Sequence, residues 1–262
     1  MTDFFLIKAF FFVFGAMIGS FLNVLIYRIP RELDFVRPRS ACPGCGKLIY
    51  WYENVPILGY LFLRGKCSKC HWKIPLRYPF VEVVTGVASL LLMPSSLSSE
   101  SLAFYAFYFS IFSCFLVHFI VDLEFKILPN VINLYLLATF LVYAILFSSP
   151  LFWGAGLLAG FGGPFLVSRG FKALRGEEGL GMGDVKLWGV LGIHFGVVGI
   201  IHNIFLSCML GSVVGIALIA LKITNRKTQI PFGPFILVVA FFQIFFKEDF
   251  SRIMESLFHL GV

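Results

Sequence analysis

The run "VKLWGVLGIHFGVVGIIHNIFLSCMLGSVVGIALIAL", Val185 to Leu221, decides the fold class. Its only side chain of fixed charge is Lys186, in the first turn, with His194 and His202 further along. A bilayer-spanning helix needs roughly 20 apolar residues, so this run is too long for one span and too apolar for a soluble domain. Gly192, Gly196, Gly199 and the His202–Asn203 pair interrupt it, and it reads as two short spans joined by a tight turn.

The same pattern recurs outward in both directions. Apolar stretches lie at about 4–27, 79–94, 102–122, 128–148, 151–168, 185–199, 202–221 and 231–246. The reading is an all-α polytopic membrane protein of about eight transmembrane helices. Composition agrees: of 262 residues, 59% are hydrophobic and 13% charged, with a mean hydropathy of +0.91, well outside the usual globular range. The first stretch is long and lacks a basic n-region and a small-residue cleavage site, so it reads as a retained helix rather than a secretory signal.

Lys and Arg set the orientation, because positively charged loops stay cytoplasmic. If the segment after the first span is cytoplasmic, 18 of the 21 basic residues collect inside, Arg226 and Lys227 among them. Both termini then lie outside. The net charge of +7 is mostly topology, which leaves no nucleic-acid reading and makes the lipid bilayer the first partner.

Two polar islands interrupt the spans. The larger, residues 28–78, contains "CPGC" (Cys42, Cys45) and "CSKC" (Cys67, Cys70), two C-x2-C knuckles separated by 21 residues. That spacing is one residue beyond the usual ribbon-type range. Four thiolates from two tight turns make a closed tetrahedral site suited to structural Zn²⁺. Gly44 and Gly46 favour such turns, and Lys47, Lys66, Lys69 and His71 would ease the thiolate charge. Disulfides or a redox C-x-x-C would suit an outside domain, whereas the charge count puts this island in the reducing cytosol. His71 reads as a surface residue, since four cysteines leave no vacancy. Cys114 and Cys208 read as packing residues within spans. The domains are therefore a first transmembrane helix (1–27), a small cytoplasmic zinc-binding loop domain (28–78) and a seven-helix membrane domain (79–262). The second island, "SRGFKALRGEEGLGMGD" from Ser168 to Asp184, is glycine-rich and permissive.

Ionisable residues at spans are costly and are functional candidates. Asp122 closes the third span in "HFIVDLEFKILPN", and Asp184 opens the sixth at the same face. Two carboxylates sharing a proton can activate a water for attack on a peptide carbonyl; taken singly, each aspartate is equally an interfacial, solvated residue. Glu82, just inside the second span, either orients a substrate amine or the zinc island, or pairs with Arg77 or another basic residue. His118, one turn before Asp122, reads as a packing histidine, and Glu124 as interfacial. His194, His202, Glu177 and Glu178 suggest no partner.

In order along the chain, "GSFLNVLIYRIP" (Gly19–Pro30), "CPGC" with "WYENVPILGYLFLRGKC", "RYPFVEVVTG", "VDLEFKILPN", "GMGDVKLWG" and "IPFGPF" resemble the bacterial type IV prepilin peptidases, or prepilin leader peptidase/N-methyltransferases. The similarity runs from residue 19 to 235. The resemblance, not the spacing, singles out Asp122 and Asp184 as the catalytic pair of a membrane aspartic peptidase with a Gly-x-Gly-Asp motif. It implies prepilin or pseudopilin substrates cleaved after a glycine at the cytoplasmic face of the bacterial inner membrane. It also implies S-adenosylmethionine-dependent methylation of the new N-terminus, associated with the cysteine-containing region; no cofactor-binding fingerprint stands out. One departure is Pro129–Asn130, where the family usually reads Pro-Asp. A rival reading is a proton- or cation-coupled transporter with a cytoplasmic zinc domain, although paired acids in transporters usually lie deeper, near the bilayer midplane.

Overall fold

In a hydrocarbon environment every backbone N–H and C=O must be satisfied within its own segment, which favours helices wherever the chain is apolar. The computed structural model, which describes residues 2–37, 39–176, 179–225 and 228–258, follows that rule. Helices α1 (Thr2–Arg28), α2 (Leu58–Phe62), α3 (Arg77–Leu91), α4 (Ser99–Phe125), α5 (Asn130–Phe147), α6 (Pro150–Arg175), α7 (Met182–Ala220), α8 (Gly233–Phe245) and α9 (Lys247–Phe258) carry the fold. Among the described residues there is no strand, only two isolated bridges. Glu177, Glu178, Arg226 and Lys227 lie outside the described residues.

Among the described residues five helices are long and apolar enough to cross a membrane: α1, α4, α5, α6 and α7. The expected eight spans are not reproduced as eight such helices. Helix α3 has 15 residues and α8 has 13, about 22 and 20 Å at the α-helical rise. Helix α7 is a single 39-residue run broken at Gly196, whose φ of 66° and ψ of −173° are not helical. The break reverses the chain: Trp188 Nε1 donates to Asn203 Oδ1 at 3.0 Å, although 15 residues of straight helix would separate them by about 22 Å. The two halves of α7 therefore fold back on one another.

The chain forms two compact units, residues 1–117 and 118–262. In the first, α1 packs along α3 through small residues. A Cβ at Gly15 would strike Ser89 and Thr85, and one at Gly19 would strike Thr85 and the backbone of Glu82. Close approach lets side chains bond across the pair, as small-residue interfaces do in membranes. Ser89 Oγ donates to Phe11 O at 2.6 Å, and Asn23 Nδ2 donates to Tyr78 O at 3.0 Å.

In the second unit α7 is the hub, packing on α5, α6 and α8. Gly156 on α6 and Gly192 on α7 touch backbone to backbone, and Gly160 meets the Trp188 carbonyl. A buried polar relay ties the folded-back α7 to α8. Besides accepting from Trp188, Asn203 donates to Gln243 Oε1 at 2.7 Å, and Gln243 Nε2 donates to Gly199 O at 2.9 Å.

Candidate active site and metal centre

Three helix ends meet around Asp122. The carboxylate lies near the end of α4 and is only 5% exposed. The chain turns through Ile127–Leu128 to Pro129, the N-cap of α5, and buried Leu128 becomes the wedge of the junction. A Cβ on Gly233, first residue of α8, would lie 3.0 Å from Leu128 Cδ2, and one on Gly183, in the first turn of α7, would lie 3.2 Å from Leu128 Cβ. The next residue after Gly183 is Asp184, half-buried and within electrostatic reach of Asp122. The fold thus brings together the two aspartates singled out from the sequence.

Each carboxylate is positioned by its backbone. Gly233 N–H, an end-of-helix donor with no partner inside α8, donates to Asp122 Oδ2 at 2.9 Å. Asp184 sits in the first turn of α7, where the helix dipole favours a carboxylate, and its N–H bonds back to the N-cap Gly181 carbonyl at 3.1 Å. Lys186, two residues further on, donates to Asn130 Oδ1 at 2.9 Å, so the Pro129–Asn130 departure has a definite contact joining α5 to α7. His118 is fully buried and neighbours Asn133 of α5. His194 packs among Phe140 and Tyr143 at 4.9 and 5.3 Å between ring centroids, and Glu124 is exposed.

Gly233 was missed by sequence reasoning as a site residue. Its signal was the "IPFGPF" stretch itself: a glycine wedged between Phe232 and Pro234 at a helix start, where a Cβ would sit 2.7 Å from Asp122 Oδ2.

In the first unit the two cysteine knuckles are built alike. Cys42 N–H donates to Lys47 O and Gly46 N–H to Cys42 O; Cys67 N–H donates to Trp72 O and His71 N–H to Cys67 O. Gly46 and His71 hold equivalent left-handed positions, φ 67° and 57°. His71 is therefore a turn residue, and Gly44 instead packs against Trp72. The four sulfurs of Cys42, Cys45, Cys67 and Cys70 all lie within 4.8 Å of one another, with Cys42–Cys70 at 3.7 Å and Cys45–Cys67 at 4.0 Å. A tetrahedral site with metal–sulfur bonds of about 2.3 Å spaces its sulfurs by about 3.8 Å, so these four thiols fit a metal ion. Backbone N–H groups of Cys70 and Lys69 pull the Cys67 thiol down to about 6.

Lys47 has a structural role beside the knuckles. Lys47 Nζ donates to Glu53 Oε1 at 2.8 Å and to Ser68 Oγ at 2.5 Å, clasping one knuckle to the other. Hydrogen bonds from Lys47, Ser68 and the Tyr50 backbone hold Glu53 down at about 2. Glu82 bonds to the cysteine-bearing island. Its Oε2 accepts the Ile57 N–H at 2.7 Å, and among the described residues no cation pairs with it.

Residues 13–95 match the model of the bacterial peptidase A24 N-terminal domain, and residues 107–216 that of the type IV leader peptidase family. Proteins named prepilin leader peptidase/N-methyltransferase are similar over most of their length. The Aeromonas hydrophila protein is 31% identical, covering 92% of this chain and 91% of the relative. The Pseudomonas aeruginosa protein is 30% identical, covering 91% and 90%, and the Bacillus subtilis protein 34%, covering 85% and 88%. No solved structure matches the chain significantly. With both halves matched in order and relatives above 30% identity along nearly all of its length, the chain belongs to the type IV leader peptidase family.

Proposed function

We propose that the chain is a membrane-embedded aspartic endopeptidase. It removes the short basic leader from type IV prepilins or pseudopilins at the cytoplasmic face of the inner membrane, and it methylates the new N-terminus with S-adenosylmethionine. The observation that carries the peptidase reading is the meeting of Asp122 and Asp184 at a junction of helix ends wedged by Leu128. The transporter reading has no support in the family and is set aside.

In this mechanism the two carboxylates, within electrostatic reach of one another, hold one proton between them, because joint ionisation of neighbouring carboxylates is disfavoured. The ionised member takes a proton from a water held between them while the protonated member donates to the scissile carbonyl oxygen; the roles reverse for the leaving amine. The Gly233 N–H fixes one oxygen of Asp122 and leaves the other for that water. A pilin precursor anchored by its hydrophobic helix would present its leader junction at this depth. Gly181, the N-cap of α7, carries no side chain and permits close backbone approach beside Asp184, and positioning of that kind is worth as much as acidity.

The thiol cluster is assigned to structural Zn²⁺, whose binding energy folds the loop domain 28–78 and takes no part in peptide hydrolysis. Residues 79–262 form the membrane peptidase domain. The test is cleavage of a model prepilin in membranes by wild type, Asp122→Asn and Asp184→Asn, each checked for insertion. Both variants are expected to insert and to leave the precursor intact; cleavage by either at near the wild-type rate would overturn the two-aspartate mechanism.

A further inference from the structure

One turn before Asp122 on α4, His118 is fully buried, and Asn133 of α5 is 5% exposed. The two side chains are neighbours across the α4–α5 hairpin. From Cys114 to Val121 His118 is the one polar side chain on α4, and on α5 Asn133 is the one buried polar residue among those described. Neither ring nitrogen of His118 and neither amide atom of Asn133 has a hydrogen-bond partner elsewhere among the described residues. In a space closed to solvent each group has only the other to turn to. Their chemistry matches, since a neutral imidazole offers one donor and one acceptor, and a carboxamide offers both.

Such a pair is a poor way to fill space. Buried polar atoms are expensive unless they bond, and a leucine at each position would pack the hairpin without that cost. What a polar pair supplies is register. The stretch from Cys114 to Val121 is otherwise apolar on every side, so turning it by one residue, about 100°, exchanges one apolar face for another and loses little burial. The same turn carries His118 away from Asn133. It moves Asp122 as well, because residues four apart lie about 6 Å along the axis and about 40° around it. Asn133 is itself fixed at the start of α5, where its N–H donates to the Pro129 carbonyl at 3.1 Å, just beyond the Leu128 wedge.

We infer that His118 is a positioning residue for Asp122: paired with Asn133, it fixes the rotation of the last turns of α4 and so aims the carboxylate at the Gly233 N–H and toward Asp184. The inference rests on the two-aspartate reading of the proposed function. The Gly233 N–H holds one oxygen of Asp122, and the His118–Asn133 pair holds the backbone that carries it. His118 takes no proton in the reaction; its part is to set the direction of the acid.

The test combines steady-state cleavage of a model prepilin in membranes with thermal unfolding in detergent. It compares wild type, His118→Leu, His118→Gln and the double variant His118→Leu with Asn133→Leu. His118→Leu is expected to lower kcat by about tenfold or more with KM within about twofold, since the acid is misaimed while substrate docking is untouched. His118→Gln keeps a neutral donor and acceptor and is expected to recover kcat to within about threefold of wild type. The double variant strands no polar atom, so its unfolding midpoint is expected above that of His118→Leu while its kcat stays as low. A residue that merely packs would instead let kcat follow the midpoint. A wild-type kcat in His118→Leu, a kcat that returns with the midpoint in the double variant, a rise in KM alone, or His118→Gln as slow as His118→Leu would each overturn the inference. If His118→Leu fails to insert, the double variant and His118→Gln are judged by the same criteria, and failure of the double variant to insert makes the pair a folding element and overturns it too. Wild type that leaves prepilin intact, or Asp122→Asn that cuts it, sinks the two-aspartate reading itself; normal cleavage by wild type with an equally fast His118→Leu sinks only this inference.

Discussion

Gly233 N–H donates to Asp122 Oδ2 at 2.9 Å across 111 positions of sequence, and there is no space between them for a methyl group. A Cβ at Gly233 would sit 2.7 Å from that oxygen and 3.0 Å from Leu128. Gly233→Ala is therefore expected to push the Asp122 carboxylate out of register with Asp184. Misplacement on the order of 1 Å costs about 100-fold in rate, so prepilin cleavage should fall by roughly that factor in kcat with the protein still inserted. Near wild-type turnover would show that the carboxylate does not depend on this donor.

The fold-back of α7 is held by Asn203, which bonds Trp188 and Gln243 at once. Asn203→Leu leaves the Trp188 N–H and the Gln243 carbonyl buried and unpaired, at about 1–3 kcal/mol for each group. Thermal unfolding in detergent should register a clear drop in midpoint. Cleavage should weaken as well, because the start of α7 carries Asp184.

Removing metal should act on the first unit. Cys67→Ser, or a strong chelator, is expected to abolish stoichiometric zinc by elemental analysis and to open residues 39–76 to limited proteolysis, since the thiol cluster is the staple between two turns. Unchanged protease resistance in metal-free protein would assign the stability of this segment to the Lys47–Glu53 clasp instead.

That clasp has a defined pH window. Glu53 is held down at about 2, from a reference of 4.5, so its stabilisation is complete above about pH 4.5 and is lost as the pH falls toward 2. Glu53→Gln should loosen the knuckles at pH 7, read by faster amide exchange at Ser68 and Tyr50. The difference from wild type should close only in strong acid, and a difference that vanished between pH 5 and 7 would contradict the clasp.

Asn130 accepts from Lys186 at the exposed surface of the junction. Asn130→Asp turns this hydrogen bond into an exposed ion pair, worth about 0–1 kcal/mol. Cleavage by that variant is expected to stay within about fivefold of wild type, consistent with an effect of that size at 1.4 kcal/mol per decade. A loss as large as that of Asp122→Asn would place residue 130 in the catalytic machinery.

Membrane character, the helices and the clustering of four cysteines were legible in the sequence because each is a local pattern: apolar run length, glycine punctuation, C-x2-C spacing. The interruption of Val185–Leu221 was legible too, but among its several candidate breaks only the structure picks Gly196. Tertiary structure alone decided that Asp122 meets Asp184, that Gly233 holds Asp122, and that Glu82 turns to Ile57 rather than to Arg77. The physical reason is that these helices are apolar on nearly every face, since lipid and protein interior ask for the same side chains. Without a polar stripe, the sequence does not say which face packs. The junctions are set instead by small residues and single polar contacts, such as Gly156 on Gly192 and Asn203 on Trp188, which acquire meaning only once the helices are side by side.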